Sequence, residues 1–157
     1  MIPIVKPYIP PRDALIPELE KVIYSGYIAQ GEQVEKFELK LGKYLETNKV
    51  LTVNSGTSAL HLALLLANVG PGDEVISTAL TAEPTNTVIA QTGANVVWAD
   101  TEYLTGLICP KSVEKLITKK TKAIVVVHYG GLPCDLDKIN SLSNTLCVQA
   151  QCHSNLQ

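Results

Sequence analysis

An α/β fold, a mostly parallel sheet with helices on both faces, is predicted by three features of the sequence. Its strand-like runs, such as NVVWA and KAIVVV, are continuously apolar rather than alternating, which suits strands covered on both sides. They alternate with helix-like segments, the order expected of a parallel sheet. Gly and Pro stand at the joints between them, as in GPGDEVIS and QTGANVV. Right-handed crossovers then place every strand-to-helix loop on one edge of the sheet, where α/β proteins bind ligands.

The elements follow in order. The opening residues to Pro17 are proline-rich and extended, and Pro17 to Tyr24 reads as a short helix with Glu18 and Glu20 in its first turn. SGYIAQGE is a loop punctuated by Gly26 and Gly31. In QVEKFELKLGKYLE, Val34, Phe37, Leu41, Tyr44 and Leu45 fall on one helical face. KVLTV is a buried-strand candidate, Ser58 to Val69 a helix, and GPGDEVIS a turn delivering a short strand. Thr85 to Thr92 is a helix, Gly93 turns the chain, and NVVWA is a strand ending at Asp100. PKSVEKLI is a short helix with Pro110 in its first turn, KAIVVV a strand, and CDLDKIN opens a helix that Asp135 can cap.

Two segments are expected: 1–139 as one folded domain or part of one, and 140–157 as a divergent tail. Every Asp, Glu, Lys and Arg lies before residue 140, and no period of 2 or 3.6 continues beyond it. A sheet of about four strands is also expected to leave an apolar edge, with weak protection around Ala123 to Val127.

Bulk properties narrow the function classes. At 157 residues and 46% hydrophobic, the chain can bury one core. A net charge of −2, from 13 basic and 15 acidic residues, supplies no field for nucleic acid or an acidic membrane. Lys119, Lys120 and Lys122 read as a solvated helix end. The start MIPIVKPYIPP has no apolar core of signal-peptide length and no run reaches membrane-spanning length, so a cytoplasmic protein is expected. Cys109, Cys134, Cys147 and Cys152 form no C-x-x-C pair, and His61, His128 and His153 form no ligand pattern; buried thiols and no metal site are expected.

The chemical motifs are mostly absences. Neither G-x-G-x-x-G nor G-x-x-x-x-G-K-[ST] occurs, nor G-x-S-x-G or H-E-x-x-H, which removes support for the common nucleotide, hydrolase and metalloprotease readings. What remains is Ser55-Gly56-Thr57-Ser58, between a strand-like run and the Leu/Ala helix of SALHLALLLA. Ser and Thr hydroxyls there can simply cap the helix. Alternatively, free amides, a positive dipole end and a glycine permitting close approach suit a phosphate dianion. Residues alone leave both readings open.

The chain resembles the DegT family of sugar-nucleotide aminotransferases, which use pyridoxal phosphate on the aspartate-aminotransferase fold. The resemblance rests on SGYIAQGEQVEKFE, VNSGTSALHLAL, GPGDEVIS, TNTVIAQTGANVVWAD and ITKKTKAIVVVHYGGLPCDLDKI in register, from about Pro7 to Ile139. It implies part of that fold's large domain, with Gly56, Thr57 and Ser58 giving the cofactor phosphate amides and a hydroxyl. It places Ala82 where the family carries an aromatic residue stacked on the pyridine ring. An alanine cannot stack. Asp100 matches an acidic strand end with a turn role, Thr85 and Asn86 serve as caps or line the site, and His128 and Tyr129 line it or pack beside it.

The resemblance further implies a homo-oligomer acting on a nucleotide-linked keto-sugar and an amino donor. Two motifs of the family are missing: the aspartate of an EDAA-like strand that meets the pyridine nitrogen, and the aldimine lysine after it. No catalytic residue is therefore assigned, and the 157-residue chain is expected to be a partial, inactive aminotransferase. A non-catalytic remnant or regulatory partner of a full-length relative is the alternative, as is a sugar dehydratase of the same family.

Overall fold

The computed structural model describes residues 8–142 and the backbone of residues 146–150. The chain divides into two compact units, which meet in sequence between Asn54 and Ser55.

The first unit holds two helices, α1 (Arg12–Ser25) and α2 (Glu32–Tyr44). α1 begins a turn and a half earlier than the Pro17 start expected from sequence, because the amides of Ala14 and Leu15 both bond to Pro11 O. Pro17 sits inside the helix, where only one intrahelical donor is lost. Gly42 of α2 is buried because the chain returns across it: a Cβ there would lie 2.6 Å from Thr47 O. KVLTV is not a strand, which corrects the sequence reading. Apolar, β-branched residues suit a ladder, but residues 49–53 have no neighbouring strand among the described residues.

The second unit is the α/β layer. It comprises α3 (Gly56–Leu66), β1 (Glu74–Thr78), α4 (Glu83–Gln91), β2 (Asn95–Ala99), α5 (Pro110–Leu116), β3 (Thr121–Val127), a short 3-10 turn (Tyr129–Gly131), α6 (Leu136–Leu142) and β4 (Leu146–Ala150). The four strands form one sheet in the order β2-β1-β3-β4, and each neighbouring pair is parallel. β4 falls inside the segment for which the sequence showed no period. It pairs with β3, so Ala123–Val127 is an interior strand rather than the exposed edge expected above.

Alternate residues of β1 and β3 serve two cores. Val75, Ala123 and Val125 join Leu64 of α3 with Val88 and Ile89 of α4. Ile76, Ile124 and Val126 join Val113 of α5 and Ile139 of α6 on the other face. That is why these runs are continuously apolar. The tight joints fall where expected: Gly93, at φ 81°, lets the chain leave α4 with its Cα facing Pro71, where a Cβ would meet the ring at 2.9 Å. α3 ends at Leu66, three residues before the Val69 predicted as its limit, and Asn68, at a left-handed φ of 55°, turns the chain away just beyond it.

Candidate functional site

The strand order sets the location. The chain goes from β1 outward to β2, then crosses back so that β3 lies on the other side of β1. This reversal makes a topological switch point, and ligands of open α/β sheets bind beyond the strand C-termini at such a point. α4 follows β1 through residues 79–82, so it starts at that edge. α3 ends in a short turn into the start of β1, so it runs antiparallel to β1 and its N-terminus points to the same edge. α3 and α4 share one core beneath them. The topology thus brings Gly56-Thr57-Ser58 and Ala82 to one rim.

At the start of α3, Ser55 is the N-cap in extended conformation. Its Oγ accepts the Ser58 N–H at 3.1 Å and donates to Ser58 Oγ at 3.0 Å. Capping is therefore present, supplied by the first hydroxyl of the Ser55–Ser58 motif. It leaves the Gly56 and Thr57 amides without a partner among the described residues. Gly56 and Thr57 are exposed, and nothing lies within 4 Å of where a Gly56 Cβ would stand. Two unpaired amides at a positive helix end, with open space in front of them, fit a phosphate oxygen pair. The cap thus leaves room for an anion rather than excluding one.

The loop after β1 is built by side-chain bonds. Thr81 Oγ1 donates to Thr85 Oγ1 at 3.0 Å, and Asn86 Nδ2 donates to Thr78 O at 3.0 Å. Ala82 is the N-cap position of α4, exposed and without a side-chain cap bond, and Pro84 stands in the first turn. The phosphate end of the cofactor fits the residues present. The ring end receives no aromatic face from position 82. Ser77 Oγ and Asn86 Oδ1 are buried with no partner among the described residues, so the polar lining of this corner is incompletely satisfied.

The loop after β3 closes on itself. His128 Nδ1 accepts the Cys134 N–H at 3.0 Å, which puts the ring proton on Nε2. Cys134 Sγ donates to Val127 O at 3.2 Å, and burial pushes its thiol pKa up, which marks an unreactive cysteine. The loop after β2 approaches closely: Gly106, at φ 70°, stands where a Cβ would lie 2.9 Å from Leu80 and 3.7 Å from Tyr129. Gly106 thus stands beside side chains from the loops after β1 and β3. Asp100 acts through its backbone, its N–H donating to Ser112 Oγ and its O accepting from Cys109, in keeping with a turn role.

A separate concavity of about 460 Å³ opens in the first unit, lined by residues that include Lys21, Tyr27, Gln30 and Lys36. Lys21 pairs with Glu18 and Lys36 with Glu32, so neither cation is open to an anion. Among the described residues, no three His, Cys, Asp or Glu side chains stand together as a metal site, and no helix is long and apolar enough to cross a membrane.

Comparison with known proteins decides the relationship. Residues 12–149 match the DegT/DnrJ/EryC1/StrS aminotransferase family. The chain belongs to this family. A Bacillus subtilis (strain 168) relative, the spore coat polysaccharide biosynthesis protein SpsC, is 41% identical over 124 residues, 79% of this chain and 32% of its own length. Spr1654 from Streptococcus pneumoniae, described as a sugar aminotransferase and solved in its PLP-form, superposes with a TM-score of 0.84 at 36% identity, over 91% of this chain and 36% of that one. The sugar aminotransferase CalS13 from Micromonospora echinospora gives 0.86 at 33% identity, over 95% and 42%. The DegT-type chain described here spans about a third of the length of the curated relative it matches.

Glu38 escaped sequence reasoning. Its carboxylate takes both donors of Thr52, a pairing across 14 residues that no local spacing reveals.

Proposed function

We propose that this chain is the phosphate-anchoring part of a pyridoxal-phosphate-dependent sugar aminotransferase whose full-length form moves an amino group onto a nucleotide-linked keto-sugar. The observation that carries this reading is the pair of open amides at Gly56 and Thr57 on the switch-point rim, in a chain of this family. The cofactor supplies an electron sink for breaking and making bonds at the amine-bearing carbon. The chain's own contribution is to bind and orient its phosphate. Gly56 and Thr57 donate N–H groups, the missing Cβ at Gly56 allows close approach, and Ser55 keeps Ser58 in the helical turn. Charge-assisted bonds and the helix end together contribute about 1–2 kcal/mol.

Of the second unit's six lysines, Lys119, Lys120 and Lys122 stand at the start of β3, on the edge opposite the rim, Lys138 is paired with Asp135, and Lys111 and Lys115 lie on α5; none belongs to the family's aldimine-lysine motif. The 157-residue chain therefore does not complete amino transfer, and the full enzyme acts as a cytoplasmic homo-oligomer. Ala82 favours a second reading, a non-catalytic partner of a longer relative, because it withdraws the ring's stacking surface.

The test is titration of the chain with pyridoxal phosphate. Amide resonances of Gly56 and Thr57 are expected to shift, with no lysine-adduct absorbance and no borohydride-fixed label. Gly56→Ala should keep the fold, since no atom obstructs its Cβ, while weakening phosphate binding. One defined lysine labelled after borohydride would overturn the inactive reading. Co-purification with a longer aminotransferase would favour the partner reading.

A further inference from the structure

Ala82 leaves the ring end of the site without a stacking surface, yet an aromatic side chain stands on the same rim. Tyr129 follows β3, the strand paired with β1, and is 42% exposed. Its ring lies beside the loop that carries Ala82. A Cβ built on Gly106 would stand 2.9 Å from Leu80 Cδ2 and 3.7 Å from Tyr129 Cδ1, so the two side chains flank one point. Leu80 is two residues from Ala82 and is itself 42% exposed. Partly open apolar surface thus faces the switch point from both of its strands.

Tyr129 is held in place by its own loop. Gly130 and Gly131 take left-handed φ values of 64° and 82°, which lets the chain turn at once after the tyrosine. The Gly131 N–H donates to His128 O at 3.0 Å, and the Leu132 N–H to Tyr129 O at 3.2 Å. The Cys134 N–H then bonds back to His128 Nδ1, and Cys134 Sγ donates to Val127 O. Bonds on either side of Tyr129 therefore set its backbone in advance, and a pre-set aromatic residue loses little freedom on binding. The second unit has two other aromatic residues, and neither suits the place. Trp98 sits in β2, across β1 from the switch point. Tyr103 is 100% exposed, so no neighbour fixes its ring.

We propose that Tyr129 supplies the aromatic face missing at position 82, packing on the pyridine ring of a pyridoxal phosphate anchored at Gly56 and Thr57. An electron-poor ring suits an electron-rich phenol, and such pairs gain more than their buried area alone. The inference rests on the phosphate reading above for the anchored end of the ligand, and it assigns the other end.

Titration of the 157-residue chain with two probes separates the ends. Inorganic phosphate carries the anion alone. Pyridoxine phosphate adds the ring, without an aldehyde that could label lysines. Both should shift the Gly56 and Thr57 amide resonances, and only pyridoxine phosphate should move the Tyr129 ring resonances. Tyr129→Leu should weaken pyridoxine phosphate binding about fivefold, as loss of one aromatic pair implies, and leave phosphate affinity unchanged. Tyr129→Phe should keep both affinities, and so should Tyr103→Leu in the loop after β2. If Tyr129→Leu disturbs its loop, seen as lost hydrogen-exchange protection of the Cys134 amide, the wild-type ring shift decides.

A wild-type Tyr129 ring unmoved by pyridoxine phosphate would overturn the proposal. So would equal weakening of both probes by a Tyr129→Leu chain whose Cys134 amide stays protected, since that marks a packing role. Absence of any phosphate-induced shift at Gly56 and Thr57 would instead strike the phosphate reading. The response of the Tyr129 ring to pyridoxine, which has no phosphate, would then decide the aromatic face alone.

Discussion

In the sheet unit, Val75, Ile76, Ile124 and Val126 are at most 1% exposed, whereas α1 in the first unit buries no residue and leaves Ile23 at 52% and Tyr24 at 87%. Both regions are rich in apolar side chains. The difference lies in what each can close over. β1 and β3 have neighbours on both sides and helices on both faces, so their apolar residues meet one another within a short stretch of chain. Residues 8–54 offer two helices and an extended return segment, and their order relies on local hydrogen bonds such as the Gly26 cap of α1 and the Glu38–Thr52 tether. Hydrophobic composition alone therefore does not predict where a core forms.

The comparison is broken most easily in the sheet. Ile124→Ala should cost about 2–5 kcal/mol, because the site is sealed on both faces, while Ile23→Ala in α1 should stay within about 0.5 kcal/mol. Denaturant unfolding of the two variants measures this, and equal effects would erase the contrast.

Gly42→Ala probes the one buried point of α2. Helix propensity favours alanine by up to about 1 kcal/mol, but the new methyl would meet a backbone oxygen at 2.6 Å, so we expect a net loss of about 1–3 kcal/mol. A stabilised variant would show that the return segment yields freely. Ser55→Ala, at the head of the sheet unit, should cost about 1 kcal/mol by removing the cap on Ser58, readable by thermal unfolding.

The smallest effect is acid sensitivity in the first unit. The Glu38 carboxyl is held below its ordinary range, so its tether stabilises fully above that range and is lost as pH falls through the lowered value. Thr52 amide exchange, corrected for intrinsic rates, should lose its protection in that acid window and hold at neutral pH.

Much of the sheet unit was legible because its signals are local. NVVWA and KAIVVV, Pro84 and Pro110 in first turns, and Asp135, whose Oδ1 accepts the Lys138 N–H, each declare themselves within one element. KVLTV was misread because its residues suit a ladder and only the pairing decides whether one exists. β4 was invisible because LCVQA has neither a period nor charged borders, and its order comes from lying beside β3. At the rim, Gly56 and Thr57 could be named in advance, but the division of labour with Ser55 depends on which hydroxyl points at which amide. Glu38 could not be named at all, since its partner is distant in sequence.

The strand order has a bearing on synthesis. A ribosome releases β1 first, then β2, then β3, and each newcomer finds a completed neighbour waiting, since β2 and β3 both dock on β1. Each parallel pairing still has to close a crossover, such as Glu74 to Asn95 and Glu74 to Thr121, and such non-local contacts slow assembly. β1 is therefore the template on which the nascent sheet grows outward in both directions.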